Sequence, residues 1–186
     1  VQYGTTDWSN LTMIEFSYDD NSPWSYSICA LKTTGEVICN GGSSNNHGMH
    51  GDGTINGGYS SSSPISTAIL PNNVTDSAIG QSSSCALLDN GSVYCFGQNN
   101  VGQMGDGTIC SPLDFNDGCN GETDNPVADE PAIFPDGRIA LQIWASGTTF
   151  TALLDDGTKW RWGSGYGATP SQYIFEPSLI KISSHD

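Results

Sequence analysis

The chain has 186 residues and a formal charge of -15, with five Lys and Arg against 20 Asp and Glu. That balance excludes nucleic acid and anionic membrane surfaces as partners, because both require clustered basic residues. No run approaches the ~18 apolar residues of a membrane span, so no membrane insertion is expected, and the length suits one domain or a few small stacked repeats.

Taken in order, Val1 to Asn10 is polar and shows no period. The absence of a basic stretch ahead of an apolar one reads as a signal peptide already removed, or as a piece of a longer chain. Leu11 to Tyr18 (LTMIEFSY) alternates apolar and polar residues and predicts a strand, and Asp19 to Pro23 a turn. Trp24 to Cys29 leads into a hairpin whose loop is Thr33-Thr34-Gly35. A long glycine-rich connection, Gly41 to Tyr59, and a short Ser link follow. Ile65 to Leu70 and Asp76 to Ile79 are strand candidates ahead of a second hairpin, which turns at Asp89-Asn90-Gly91. An acidic insertion runs from Thr108 to Asn125. Ala132 to Phe134 and Ile139 to Ala145 then precede a third hairpin, turning at Gly157. Tyr173 to Phe175 and Pro177 to Ser183 close the chain. No stretch of twelve or more residues carries a helical period, so the fold class is all-β.

The hairpins are copies of one another. Cys29 to Cys39 reads CALKTTGEVIC and Cys85 to Cys95 reads CALLDNGSVYC; Asn45 to Thr54 (NNHGMHGDGT) matches Asn99 to Thr108 (NNVGQMGDGT). A looser third copy starts at Thr151, as TALLDDGTKWRWGSGYG. The boundaries implied are 11–63, 64–131 and 132–176 within a single repeat domain, with 177–186 opening a further repeat.

A three-residue hairpin loop with Gly91 in the left-handed region places residue 88 opposite 92. The register then sets Leu87 opposite Val93, Ala86 opposite Tyr94 and Cys85 opposite Cys95. Opposed strand residues have Cβ atoms near the separation a disulfide needs. The third copy carries Thr151 and Arg161 at these positions, so both cysteines are absent together. The pairing expected is Cys29–Cys39, Cys85–Cys95 and, closing a loop in the insertion, Cys110–Cys119. Such a framework belongs to a secreted or surface protein.

Cys85, Leu87, Val93 and Cys95 share one face of the second hairpin; Ala86, Leu88 and Tyr94 share the other. A sheet apolar on both faces needs a cover on both, which stacked blades supply. The third copy mixes Thr151, Lys159 and Arg161 onto one face, as a terminal repeat with a solvated side would.

The pattern CAL-x-x-x-G-x-V-x-C-x-G followed by N-x-x-G-x-x-G-D-G-T resembles the repeats of the regulator of chromosome condensation family. The resemblance implies repeats of about fifty residues and β-propeller blades, commonly about seven to a ring. Asn40 stands where the pattern has an aromatic, which Phe96 and Trp162 keep, and Gly163 to Gly167 replaces the GDGT loop in the third copy. Nucleotide exchange on a small GTPase and chromatin binding, the tasks of the family's best-known member, are intracellular. The cysteines and the acidity conflict with both, and the repeats look more like those of secreted microbial or algal surface proteins.

Three hairpins do not close a ring. Two chains could complete one, copies could add head to tail, or the chain could belong to a longer array. The reading is a non-enzymatic extracellular structural or interaction module in a fibre-like assembly, associating with itself or with neighbouring repeats. Alternatives are a secreted binding or inhibitor module, using the aromatics Tyr59, Tyr166 and Tyr173, and a carbohydrate-active enzyme.

Candidate site residues are few. His47 and His50 sit beside Asp52 in a glycine loop, but Val101 and Met104 replace them in the second copy. Loop polar residues are therefore the better reading than metal ligands. Asp114, Asn116, Asp117 and Glu122 loosely resemble a calcium loop, one residue short of the usual spacing, and no other cofactor is expected. Asp52 and Asp106, in the repeated GDGT loops, are expected to cap turns, with Gly35, Gly91 and Gly157 as turn residues. Asn10, Asn73 and Asn90 head sequons open to glycan. No nucleophile elbow or phosphate loop occurs.

Overall fold

The computed structural model describes residues 9–18, 26–40, 47–55, 66–111 and 124–174. Among these residues twelve strands form three antiparallel four-stranded sheets. The first blade is β1 (Leu11–Tyr18), β2 (Tyr26–Lys32), β3 (Val37–Asn40) and β4 (Ser66–Thr67). The second is β5 (Val74–Ile79), β6 (Ser83–Leu88), β7 (Val93–Gln98) and β8 (Asp124–Asn125). The third is β9 (Ala140–Ser146), β10 (Thr149–Leu154), β11 (Lys159–Gly163) and β12 (Gly167–Gln172). Each is a meander in which consecutive strands pair, the layout of a propeller blade. No α-helix occurs among the described residues.

Local sequence dictates the central hairpins. Gly35, Gly91 and Gly157 have φ of 84°, 81° and 82°, a region where any Cβ is penalised. In the second hairpin the Gly91 N–H donates to the Leu88 carbonyl, and the Leu88 N–H to the Ser92 carbonyl, each at 2.9 Å. The strands then pair Leu87 with Val93, Ala86 with Tyr94 and Cys85 with Cys95. The same register sets Cys29 against Cys39 and Thr151 against Arg161. Disulfides join Cys29 to Cys39 and Cys85 to Cys95, across Cα separations of 4.1 and 4.0 Å. Cys110 is also disulfide-bonded, while Cys119 lies outside the described residues.

Two segments differ from the sequence reading. Ser66–Thr67, expected to open the second repeat, completes the first sheet by pairing with Ile38 and Cys39. Two residues carry no periodicity, so only their partner strand assigns them. The third blade gains its fourth strand at once, as β11 turns through Ser164–Tyr166 into β12. That strand reads GATPSQ, and polar residues around a proline give no strand signal.

Strand side chains alternate between faces, so each sheet offers two. Cys29, Leu31, Val37 and Cys39 of the first blade pack against Ala86, Leu88 and Phe96 of the second. On the second blade's opposite face, Cys85, Leu87, Val93 and Cys95 pack against Phe150, Ala152, Leu154 and Trp162 of the third. The second sheet is consequently covered on both sides, and all six residues of β6 are buried. Burial of each large apolar side chain contributes about 1.5–3 kcal/mol. The Phe150 and Trp162 rings stack at 5.8 Å between centroids, adding a ring contact to that layer.

Candidate interaction surface

The recurring glycine loops join one blade to the next. A Cβ on Gly48 would lie 2.5 Å from the Cβ of Pro126, and one on Gly102 would lie 2.4 Å from the Cα of Ala168. Gly51 faces the ring of Phe96 and Gly105 that of Trp162, where a Cβ would approach to 2.9 Å in both cases. The Gly53 N–H donates to the Pro126 carbonyl at 3.1 Å, and the Gly107 N–H to the Ala168 carbonyl at 3.0 Å. Trp162 Nε1 donates to the Gln103 carbonyl at 2.9 Å. In both loops, then, three successive glycines allow the backbone to grip the aromatic residue and outer strand of the following blade.

Side chains set the loop shape. Asp52 Oδ1 accepts hydrogen bonds from the Thr54 N–H and hydroxyl at 2.9 and 2.7 Å. Asp106 does the same for Thr108 at 2.8 and 2.6 Å. Asn99, fully buried, donates to the Thr108 hydroxyl at 2.9 Å and accepts from the Met104 N–H at 3.0 Å. The hairpin tips make a further connection, for Val74 N–H donates to the Gly35 carbonyl and Ala140 N–H to the Gly91 carbonyl.

The third blade has no such loop after β11. Its tip glycine, Gly157, has nothing within 4 Å of a Cβ, whereas Gly35 and Gly91 press on Asn73 and Ile139. Its outward face holds Trp144, Thr151 and Arg161 in one cross-strand row, with Gln142, Leu153 and Lys159 in the next. Trp144 is 43% exposed. The Lys159 ammonium sits 5.6 Å from the Trp144 ring centre. The Arg161 guanidinium lies 3.7 Å from the Tyr173 ring centre and donates to the Tyr166 hydroxyl at 2.9 Å. In the second blade the corresponding rows are Ala78, Cys85 and Cys95, and Asp76, Leu87 and Val93. At the other end of the arc Asn40 and Lys32 take the places of Phe96 and Leu88, yet Ala30 and Ile38 beside them are only 1% and 3% exposed. Ile14, paired with Ala30 in the same row, is 50% exposed, so that face is apolar and partly open, whereas the third blade's is cationic and aromatic.

Residues 74–103 match the regulator of chromosome condensation (RCC1) repeat. That match covers β5 to β7 of the second blade. Among solved structures, human WBSCR16 aligns with 80% of the chain at 22% identity and a TM-score of 0.61. Prp20p of Saccharomyces cerevisiae, studied for its binding to Gsp1p and histones, aligns with 89% at 16% identity and a TM-score of 0.64. Yeast RCC1 (Prp20) bound to Kap60 gives the same identity and score. These identities establish the propeller fold and no more. The chain spans 37–39% of the length of these structures. Nothing among curated proteins matches it.

Within the propeller-type frame the predicted site residues scatter. Asn10, Asn73 and Asn90 are all exposed, and Asn90 Oδ1 also accepts from the Ser92 N–H at the hairpin tip. Asp114, Asn116, Asp117 and Glu122 lie outside the described residues. His47 Nδ1 is 2.8 Å from Asp124 Oδ1, linking the first blade's loop to β8. His50 is buried, and desolvation holds its pKa below the usual value against the opposing charge of Asp52. Among the described residues no three His, Cys, Asp or Glu side chains gather to hold a metal, and no helix could cross a membrane. A cleft of about 270 Å³ between the second and third blades is lined by Gly91, Pro131, Phe134 and Arg138. Asp155 and Asp156 hold that arginine at 3.6 and 3.3 Å. Asp156 was absent from the sequence reading, yet its carboxylate accepts from Thr158 as Asp52 does from Thr54. The D-G-T tripeptide common to all three turns carries that signal.

Proposed function

We propose that this chain is a non-enzymatic extracellular module that works by binding protein. One observation carries the reading: two blade faces are closed by the next blade, and the third, with the same strand geometry, presents cations and aromatics instead. The disulfides support an oxidising, extracellular setting. Assembly into a fibre by repeat-to-repeat packing is the other form such a module can take, but the missing third loop and Asn40 at the aromatic position favour a different protein as partner. A carbohydrate-active enzyme gains no support from Asp52, Asp76, Asp106, Asp124 and Asp156, whose carboxylates already hold threonines, backbone N–H groups or His47.

N-glycan at Asn10, Asn73 or Asn90 belongs to the same extracellular reading, as does a calcium ion at Asp114, Asn116, Asp117 and Glu122. Enzymatic deglycosylation followed by mass measurement tests the first, and calorimetric titration with calcium the second. Cross-linking mass spectrometry on the native protein tests the main proposal. Cross-links to one other polypeptide are expected; cross-links only between copies of this chain, in a regular polymer, would overturn it in favour of the fibre.

A further inference from the structure

The four strands of the third blade contain no Asp or Glu, in a chain that has 20. They carry Lys159 and Arg161, two positions apart on β11 and therefore on the same face. Among the described residues neither has a carboxylate within 4.0 Å; Arg138 and Lys32, by contrast, are both paired. The Nε–H of Arg161 is buried and has no acceptor, while Nη1 at the exposed end of the guanidinium donates to the Tyr166 hydroxyl. Tyr173 and Tyr166 hold it in place, and Trp144 and Leu153 supply apolar surface alongside.

We infer that the outward face of the third blade docks an extended polypeptide segment with carboxylates at alternate positions. This rests on the protein-binding reading above and names the partner's chemistry. The two cationic residues have backbone positions about 6.6–7 Å apart along the strand, the repeat at which an extended chain places side chains on one side. Carboxylates so spaced meet both cations at once, and the apolar residues flanking them meet Trp144 and Leu153. Arg161 offers a planar fork suited to a carboxylate, and its clamp between rings reduces the ordering cost on binding. A second copy stacked head to tail is a poorer occupant, because the first blade's row Ile14, Ala30 and Ile38 is apolar and offers the two cations no carboxylate.

The test uses the whole chain and a synthetic peptide of alternating Glu and Val, followed by fluorescence of Trp144 or by calorimetry. A Gln-Val peptide and an oligouronate serve as competing probes. Saturable binding of the Glu peptide is expected, weakened by salt and at least tenfold weaker in Lys159→Ser/Arg161→Ser, with Arg138→Ser unaffected. Arg161→Lys, which keeps the charge but not the planar fork, provides a milder variant if the double one does not fold, and should weaken binding severalfold. Equal binding of the Gln peptide, insensitivity to these substitutions, or binding of the oligouronate alone would overturn the inference. Cross-links to a protein partner that persist in Lys159→Ser/Arg161→Ser would remove this face from the interaction while leaving the protein-binding reading intact.

Discussion

A Cβ on Gly102 would fall 2.4 Å from the Cα of Ala168, in the neighbouring blade. Gly165 has nearly the same φ, 81° against 83°, with nothing within 4 Å. The pair separates backbone strain from close approach. Gly165→Ala should cost about 1–2 kcal/mol, the penalty for a Cβ in the left-handed region. Gly102→Ala should cost about 2–5 kcal/mol, since overpacking adds to that strain. Denaturant unfolding of the two variants checks this, and equal costs would show that the loop does not grip the third blade.

Trp162 is fully buried, stacks on Phe150 and donates to the Gln103 carbonyl. Trp162→Ala should destabilise by about 3–5 kcal/mol and loosen the second blade's loop from the third blade. Trp162→Phe should lose about 1–3 kcal/mol, leaving the Gln103 carbonyl without its donor. Hydrogen exchange at Gly105 and Gly107 reads the loosening.

Thr151 and Arg161 stand opposite each other as Cys85 and Cys95 do. The double variant Thr151→Cys/Arg161→Cys should form a third hairpin disulfide on expression in an oxidising compartment, leaving no titratable thiol. It should gain about 2–3 kcal/mol over its reduced form. Two reactive thiols in the folded protein would contradict the shared register.

Much of this was legible before the fold was seen, and for a local reason. Gly91 fixes a turn, the turn fixes the register, and the register brings Cys85 to Cys95 within a dozen residues of sequence. The alternate faces of that hairpin likewise show that it lies between two neighbours. What the glycine loop touches was not legible, because Gly48 meets Pro126 and Gly102 meets Ala168 across more than sixty residues of chain. Repetition marked the glycines as structural but could not name the surface that excludes a side chain. Thr151, Lys159 and Arg161 signalled an open face from sequence. Trp144 joins them only through the pairing of β9 with β10.

His50 supplies a pH dependence. Its pKa is lowered in the folded state by burial, so the unfolded chain binds a proton that the folded chain refuses. Stability from this group is complete above about pH 6.5 and declines as the pH falls through that value toward the depressed folded pKa. Met104 fills the corresponding site in the second loop. His50→Met should therefore flatten the fall in stability between about pH 7 and pH 5, measured by urea unfolding at stepped pH. An unchanged slope would assign the acid sensitivity elsewhere.

If the third blade's outward face binds a different protein, the chain does not propagate through copies of itself. Light scattering of the non-reduced chain over a wide concentration range tests it most directly. The account predicts one species near the chain mass of 19.6 kDa, plus any glycan, at every concentration. Growth into long polymers with a regular repeat would contradict it and return the fibre.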